Sequence, residues 1–154
     1  MKKILITLVV TAVLGFSNSY ALPDPGDSNV KVSETVLESF KKEFPNAEYV
    51  RWDKNGDYFV ASFNNDMQRL SVYFDDGGKI YSTTRFIKTD AVPLNALKSL
   101  QKKYDLQEGE IAAMEVSKES RTYYLFSFTK DNKYHIIESD ASGNLKLVKK
   151  QKVG

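Results

Sequence analysis

The sequence contains no cysteine and only one histidine among its 154 residues. The lack of cysteine excludes disulfides, thiol chemistry and zinc sites built on thiolates. Basic residues number 22 and acidic residues 20, so neither sign predominates and the charge balance does not favour nucleic acid or an anionic membrane as a partner. No apolar run reaches the roughly 20 residues of a membrane-spanning helix. The sequence is rich in aromatic residues, and because it cannot form disulfides, the stability of the fold must come from packing these side chains in a core.

The N-terminus has the pattern of a secretory signal peptide. Lys2 and Lys3 precede an apolar run of about 13 residues, and small residues at Ser19 and Ala21 follow it. We therefore predict a signal peptide over residues 1–21, with an uncleaved anchor as the alternative. A disordered leader rich in proline, glycine and aspartate is predicted over residues 22–31. The mature protein is expected in the periplasm or outside the cell, with no membrane span.

Periodicity predicts two helices and eight strands. Apolar residues at helical spacing follow Ser33, a good N-cap, and Pro45 ends this first helix. A second helix opens at Val92-Pro93 and carries an apolar stripe as far as Tyr104. Runs with period-two alternation follow each helix, and Asn, Asp and Gly in their connections favour hairpins. The predicted strands span residues 47–53, 58–64, 69–75, 79–87, 111–118, 122–129, 133–139 and 144–149.

The two halves of the chain are similar to each other. Phe59-Val60-Ala61-Ser62-Phe63 parallels Tyr124-Leu125-Phe126-Ser127-Phe128. The order of one helix and four strands recurs at a period of about 60–65 residues, which indicates a duplicated unit. We predict repeat 1 over residues 32–90 and repeat 2 over residues 91–150. The predicted fold class is α+β, made of two tandem helix-plus-four-antiparallel-strand repeats with the helices on one face of an antiparallel sheet.

Alternation along the strands assigns their residues to two faces. The predicted helix-facing set is Phe59, Ala61, Phe63, Leu70, Val72, Phe74, Tyr124, Phe126 and Phe128. The candidate binding surface on the helix-free face is Val60, Ser62, Tyr73, Tyr81, Arg85 and Leu125. Tyrosine and arginine are enriched at interface hot spots, which favours this face as a contact surface. Beyond Lys133 the register stays open, because either the set containing Ile136 or the set containing His135, Ile137 and Ser139 could face the helices.

Several segments carry a family resemblance. They are Phe44-Pro45-Asn46-Ala47, Val50-Arg51-Trp52, the run from Gly56 to Phe63, the run from Val72 to Lys79, and Val92-Pro93-Leu94. Through these segments, residues 33–150 resemble the β-lactamase-inhibitor-like, PepSY-like family of exported bacterial proteins. The resemblance implies two helix-plus-sheet repeats, a periplasmic or secreted location and, by analogy with the inhibitor itself, a concave sheet presented to a partner enzyme. It implies no catalytic residues.

No catalytic, cofactor or metal site is predicted. His135 lacks a nucleophile motif, and the acids near Asp53 fit a hairpin turn better than a calcium loop. Lysines 146, 149, 150 and 152 are expected to form a solvated tail. We therefore expect an exported, non-catalytic binding module, inhibitor-like in one form, whose partner is a protein or a small ligand. The alternatives are a small exported hydrolase that uses His135 and a structural envelope protein that self-associates through the helix-free face.

Overall fold

The computed structural model describes residues 30–154, so the predicted signal peptide and most of the predicted leader lie outside the described residues. The chain divides into a first unit that ends at Thr83 and a second unit that runs from Thr84 to Gly154. The elements are helix α1 (Glu34–Glu43), strands β1 (Glu48–Asn55), β2 (Tyr58–Asn65), β3 (Gln68–Phe74) and β4 (Ile80–Ile87), helix α2 (Leu94–Tyr104), and strands β5 (Ala112–Lys118), β6 (Arg121–Lys130), β7 (Lys133–Ser139) and β8 (Leu145–Lys152).

The strands follow one another in chain order, from β1 to β8, in an eight-stranded sheet. The pairings recorded within each unit are antiparallel. The predicted α+β class is therefore confirmed as an antiparallel sheet with two helices, and the order of one helix followed by four strands occurs twice. Duplication of one ancestral unit stays a prediction. Within residues 30–154, no helix combines the length and apolarity that crossing a bilayer requires.

Local chemistry explains where the helices begin and end. The Ser33 hydroxyl accepts a hydrogen bond from the Val36 amide at the start of α1. Helix α1 ends at Glu43, two residues before Pro45, because proline can neither donate a backbone hydrogen bond nor continue the helix. Helix α2 begins directly after Pro93 and ends at Tyr104, and its C-cap residue Asp105 adopts a left-handed conformation with φ 51°. The signals at Ser33, Pro45 and Pro93 were predicted, whereas the left-handed cap at Asp105 was not.

An aromatic cluster joins α1 to the strands of the first unit. The ring of Phe40 lies 5.0 Å from that of Phe63 and 5.2 Å from that of Trp52, in edge-to-face geometry that aromatic pairs favour. Phe40 is buried, and so are the residues of β2 and β3 that surround it. The first-unit members of the predicted helix-facing set all belong to this cluster: Phe59, Ala61, Phe63, Leu70, Val72 and Phe74.

Helix α2 packs on the strands of the second unit in the same manner. Ala96, Leu97 and Leu100 contribute its buried side. Tyr124, Phe126 and Phe128 belong to the cluster around them, as predicted from alternation. Ile137 lies in that cluster too, which settles the open register in favour of the set with His135, Ile137 and Ser139.

The last hairpin turn of each unit makes a close approach to the helix. Gly78 has φ +78°, and a Cβ placed on it would overlap Ser39 Oγ and lie 2.9 Å from the Thr35 carbonyl oxygen. Gly143 has φ +90°, and a Cβ there would lie 2.6 Å from the Asn95 carbonyl oxygen. Only glycine combines this backbone conformation with the absence of a side chain. Each turn is also held by an aspartate three residues earlier, whose Oδ1 accepts two backbone N–H groups.

The strand predicted over residues 144–149 is present and extends to Lys152, so Lys150 and Lys152 belong to a strand and not to a tail, while Lys146, Lys150 and Lys152 are exposed to solvent as expected. Strand β8 continues to Lys152 and pairs with β7 along its length, from Lys133 opposite Lys152 to Ser139 opposite Leu145. The register shifts between Ile136 and Ile137, which marks an irregularity in the pairing. Pairing with β7 supplies the backbone hydrogen bonds that carry the strand past its predicted end at Lys149.

Candidate binding surface

The side of the first unit that faces away from α1 is formed by alternate residues of its strands. Phe59 and Ala61 pack in the α1 cluster, so Val60 between them points to the other side. Val60 lies directly opposite Asp53 of β1 and Tyr73 of β3. We call this side the tyrosine surface, defined by Asp53, Tyr58, Val60, Ser62, Ser71, Tyr73 and Tyr81.

Two stacked tyrosines form the most exposed aromatic feature of the tyrosine surface. The rings of Tyr58 and Tyr81 lie 4.3 Å apart with 23° between their planes, and both side chains are half-buried. Burial raises the pKa of Tyr58 above its ordinary value. The prediction included Tyr81 but missed Tyr58, although the alternation of Tyr58 with Phe59 was the signal that could have found it.

Tyr73 belongs to the tyrosine surface, but its side chain is buried. It is only 1% exposed, and burial raises its pKa to about 12, with the nearby Asp53 carboxylate adding to the effect. Its hydroxyl has no hydrogen-bond partner within the part of the chain that the structure describes. Val60 is also buried. Both residues therefore support the surface more than they offer area for contact.

Polar side chains lie on the same side of the sheet, beyond Val60 and Tyr73 as seen from the tyrosine pair. The hydroxyls of Ser62 and Ser71, which face each other across β2 and β3, lie 2.9 Å apart. Arg51 pairs with Ser62 across β1 and β2, and its guanidinium donates to Asp53 Oδ1 at 3.1 Å. A surface that combines aromatic residues with hydroxyl and charged groups has a composition typical of protein interfaces.

In the second unit, Leu125 lies on the side of β6 opposite Tyr124 and Phe126. It faces Met114 of β5 and Glu138 of β7, and all three are buried. Glu138 accepts a hydrogen bond from Arg121 at 2.7 Å, and the Arg121 guanidinium lies 5.1 Å from the centre of the Tyr123 ring. Leu125 therefore lies beside Met114 and next to the Glu138–Arg121 ion pair, and it exposes little surface to which a partner could bind.

Arg85 lies elsewhere than predicted. Its Nε donates to Glu115 Oε1 at 2.8 Å, and this hydrogen bond raises the pKa of the guanidinium. Glu115 is directly opposite Tyr124, which packs in the α2 cluster, and Ile87 packs there as well. Arg85 therefore lies on the α2 side of the second unit, whereas Leu125 lies on the other. The structure does not bring these two predicted residues together.

His135 is part of the core of the second unit. Its ring stacks on Phe128 at 4.9 Å and contacts Tyr104 at 5.8 Å, and its Nδ1 lies 3.0 Å from the Lys133 carbonyl oxygen. The side chain is buried. His135 therefore has a structural role as a ring packed in the core. This packing gives no support to the alternative that the protein is a hydrolase that uses His135.

Two further features of the described residues bear on ligand binding. Among the described residues 30–154, no group of three or more His, Asp or Glu side chains is arranged to hold a metal ion. The second unit has an open depression of about 450 Å³, with Phe86, Lys88, Asp90 and Glu108 among its lining residues. Its charges are of both signs and it is largely open to solvent, so it indicates no particular ligand.

The fold is similar to solved structures of Bacteroides proteins. A BLIP-like protein from Bacteroides fragilis is 19% identical, with a TM-score of 0.60 over 84% of this chain and 92% of that chain. A DUF2874 family protein from Bacteroides uniformis is 17% identical, with a TM-score of 0.69 over 80% of this chain and 91% of that chain. A protein from Bacteroides eggerthii that is provisionally classed as periplasmic gives the same identity and TM-score, over 80% and 90% of the two chains.

These similarities confirm a BLIP-like fold, which is the β-lactamase-inhibitor-like part of the predicted resemblance. The PepSY-like part stays a prediction. The expected periplasmic or secreted location agrees with the class given to the Bacteroides eggerthii protein. No family model matches the sequence, and no curated protein matches it.

Proposed function

We propose that this chain is an exported, non-catalytic binding module of the periplasm or cell exterior, and that the tyrosine surface contacts its partner. The observation that carries the proposal is the stacked pair of Tyr58 and Tyr81 on a side of the first unit that α1 does not cover. The BLIP-like fold supports a binding role, because the family resemblance implies a sheet that is presented to a partner enzyme.

The stacked pair suits a contact site for a physical reason. A tyrosine buries a large area while losing few rotatable bonds, so it binds at a low cost in conformational entropy. The stack already restrains both rings, which lowers that cost again. The hydroxyls of Ser62 and Ser71, elsewhere on the tyrosine surface, can exchange their mutual hydrogen bond for bonds to a partner.

Inhibition of a partner enzyme is one form of this function, and it is the form that the family resemblance implies. Self-association through the same surface is the second candidate. If the chain inhibits an enzyme, Tyr81 should contact a different molecule. If it self-associates, Tyr81 should contact a second copy of this chain.

Site-specific photo-crosslinking separates these cases. A photoreactive phenylalanine analogue replaces Tyr81 in the full chain, which is expressed with its own export signal, and adducts are identified by mass spectrometry. The matched control places the analogue at Tyr49, an exposed tyrosine in the same unit that lies at the irregular start of β1. We expect an adduct with one other molecule from position 81 that position 49 does not form.

The outcomes are distinct. If position 81 gives only a homodimer adduct, the tyrosine surface serves self-association and not the binding of another molecule. Equal labelling from the two positions, or none from position 81, would remove the tyrosine surface as the contact site. A second variant, Tyr58→Ser with Tyr81→Ser, should abolish capture of the identified partner while the chain still unfolds in one cooperative transition, at a lower denaturant concentration than the parent because the stacked pair is lost.

A further inference from the structure

Strand β8 combines a free strand edge with an excess of positive charge. It is the last strand in the sheet order, so one of its sides faces β7 and the other faces no strand among residues 30–154. Its sequence is Leu-Lys-Leu-Val-Lys-Lys-Gln-Lys, with four lysines and no acidic residue. An edge strand exposes backbone N–H and C=O groups along its outer side, where another strand can pair with them.

The charge of β8 is not neutralised within the described part of the chain. None of its four lysines lies within ion-pair distance of a carboxylate in residues 30–154. Lys146 lies opposite Glu138, but that carboxylate pairs with Arg121 at 2.7 Å. Lys152 lies opposite Lys133, a placement of like charges that costs stability.

The other edge of the sheet is different. Strand β1 carries Glu48, Arg51, Asp53 and Lys54, so its formal charges cancel. Arg51 and Asp53 pair with each other at 3.1 Å. The uncompensated charge is therefore a property of β8 and not of edge strands in this chain generally.

A second copy of β8 is a poor partner for this edge. Two β8 strands in antiparallel pairing would bring eight lysines together with no acid to neutralise them, and like charges at an interface oppose association. An extended segment with acidic side chains would instead be attracted to the lysines of β8. Its backbone can complete the outer hydrogen bonds of β8, and its carboxylates can pair with lysines on both faces of the strand.

We propose that the outer edge of β8 binds an acidic, extended polypeptide segment of another protein, which adds as a further antiparallel or parallel strand. This goes beyond the proposed function, since it concerns a strand edge of the second unit and not the tyrosine surface. The pairing segment is residues 149–152, because their partners in β7 run without interruption from Ile136 to Lys133. The irregularity at Ile136 and Ile137 limits how far the added strand extends.

The test is direct binding of a fluorescent peptide that alternates glutamate with valine over eight residues, measured by anisotropy with the mature chain. We expect saturable binding that weakens about tenfold or more when the four β8 lysines are replaced by glutamine. The matched control replaces Lys41, Lys42, Lys98 and Lys102, exposed lysines of the helices, by glutamine. This control has the same net charge as the β8 variant and should bind as the parent chain does.

A second peptide separates strand addition from attraction between charges. It has the same sequence with N-methyl groups on alternate amides, which removes hydrogen-bond donors and keeps every charge. Equally tight binding of the N-methylated peptide, or of a sulfated polysaccharide, would overturn the proposal in favour of a general polyanion site. Absence of binding to the first peptide would overturn it as well. Neither outcome bears on the crosslinking at Tyr81, so the two proposals fail separately.

Discussion

Replacement of Gly78 by alanine tests how closely the last turn of the first unit approaches α1. The substitution adds one methyl group where the backbone has φ +78° and where the Thr35 carbonyl oxygen would lie 2.9 Å away. The left-handed conformation costs a non-glycine residue roughly 1–2 kcal/mol. Forcing a methyl group into a filled space costs about 1–3 kcal/mol more. We therefore expect a loss of about 2–5 kcal/mol in the free energy of unfolding, a large part of the stability of an ordinary domain.

The neighbouring glycine supplies the control. Gly77 does not have a positive φ, and a Cβ there meets only Asp75 Oδ1 at 3.3 Å. Gly77→Ala should change the stability by no more than about 1 kcal/mol in either direction, because it also reduces the freedom of the unfolded chain. Urea unfolding followed by circular dichroism measures both variants, and an unchanged m value shows that the midpoint shift reflects stability.

A double variant shows which contact is responsible. The Ser39 hydroxyl is the first atom that a Cβ at position 78 meets, so Ser39→Ala should restore part of the stability lost in Gly78→Ala. The Thr35 carbonyl oxygen and the backbone strain remain, so the recovery should be incomplete. Equal stability of Gly77→Ala and Gly78→Ala would refute the close approach of this turn to α1.

Three other predictions concern single residues. Met67 is fully exposed in a tight turn with φ 63°, so Met67→Gly should stabilise the protein by about 1 kcal/mol, measured by urea unfolding. The control is Asn132→Gly, in the turn between β6 and β7 with φ 56°. It should stabilise the protein less, because asparagine tolerates the left-handed region better than methionine does. Ultraviolet absorbance titration should show one tyrosine ionising near pH 12, and Tyr73→Phe should remove that phase. Hydrogen bonds from Asn144 lower the pKa of Asp140 below its ordinary 3.8, so Asp140→Asn should flatten the decline of stability in acid.

The signs of the two pH effects follow from linkage. Burial favours the neutral phenol of Tyr73, so its contribution to stability is complete below the ordinary pKa of 10.0 and is lost as pH rises through about 12. Asp140 is favoured as a carboxylate, so its contribution is present above pH 3.8 and is lost as pH falls through the lower pKa of the folded state. A titration in which Tyr73→Phe leaves the late phase, or an acid profile that Asp140→Asn leaves unchanged, would contradict these assignments. A loss of stability in Met67→Gly would contradict the strain assigned to that turn.

The helix-facing residues could be predicted because the signal is local. Phe59, Ala61 and Phe63 alternate with smaller or polar neighbours, and a period of two places them on one side of any strand. The N-cap at Ser33 and the stop at Pro45 are equally local, since each acts on backbone groups a few residues away. Nothing distant is needed to derive these features.

The candidate surface was harder to predict because its members depend on partners far along the chain. Arg85 is held on the α2 side by Glu115, thirty residues away, and no local pattern indicates that pair. Tyr58 and Tyr81 stack although they belong to β2 and β4, which are not consecutive strands. The burial of Tyr73 likewise comes from its neighbours and not from its own alternation, which correctly places it opposite the α1 side.

The chain-order arrangement of the strands has a kinetic consequence. Strands β1 to β3 and strands β5 to β8 pair only with sequence neighbours across turns of a few residues. Closing such short loops loses little chain entropy, and proteins whose contacts are near in sequence reach the native state quickly. Each hairpin can therefore begin to form as soon as its own two strands are free to pair, without waiting for the rest of the polypeptide.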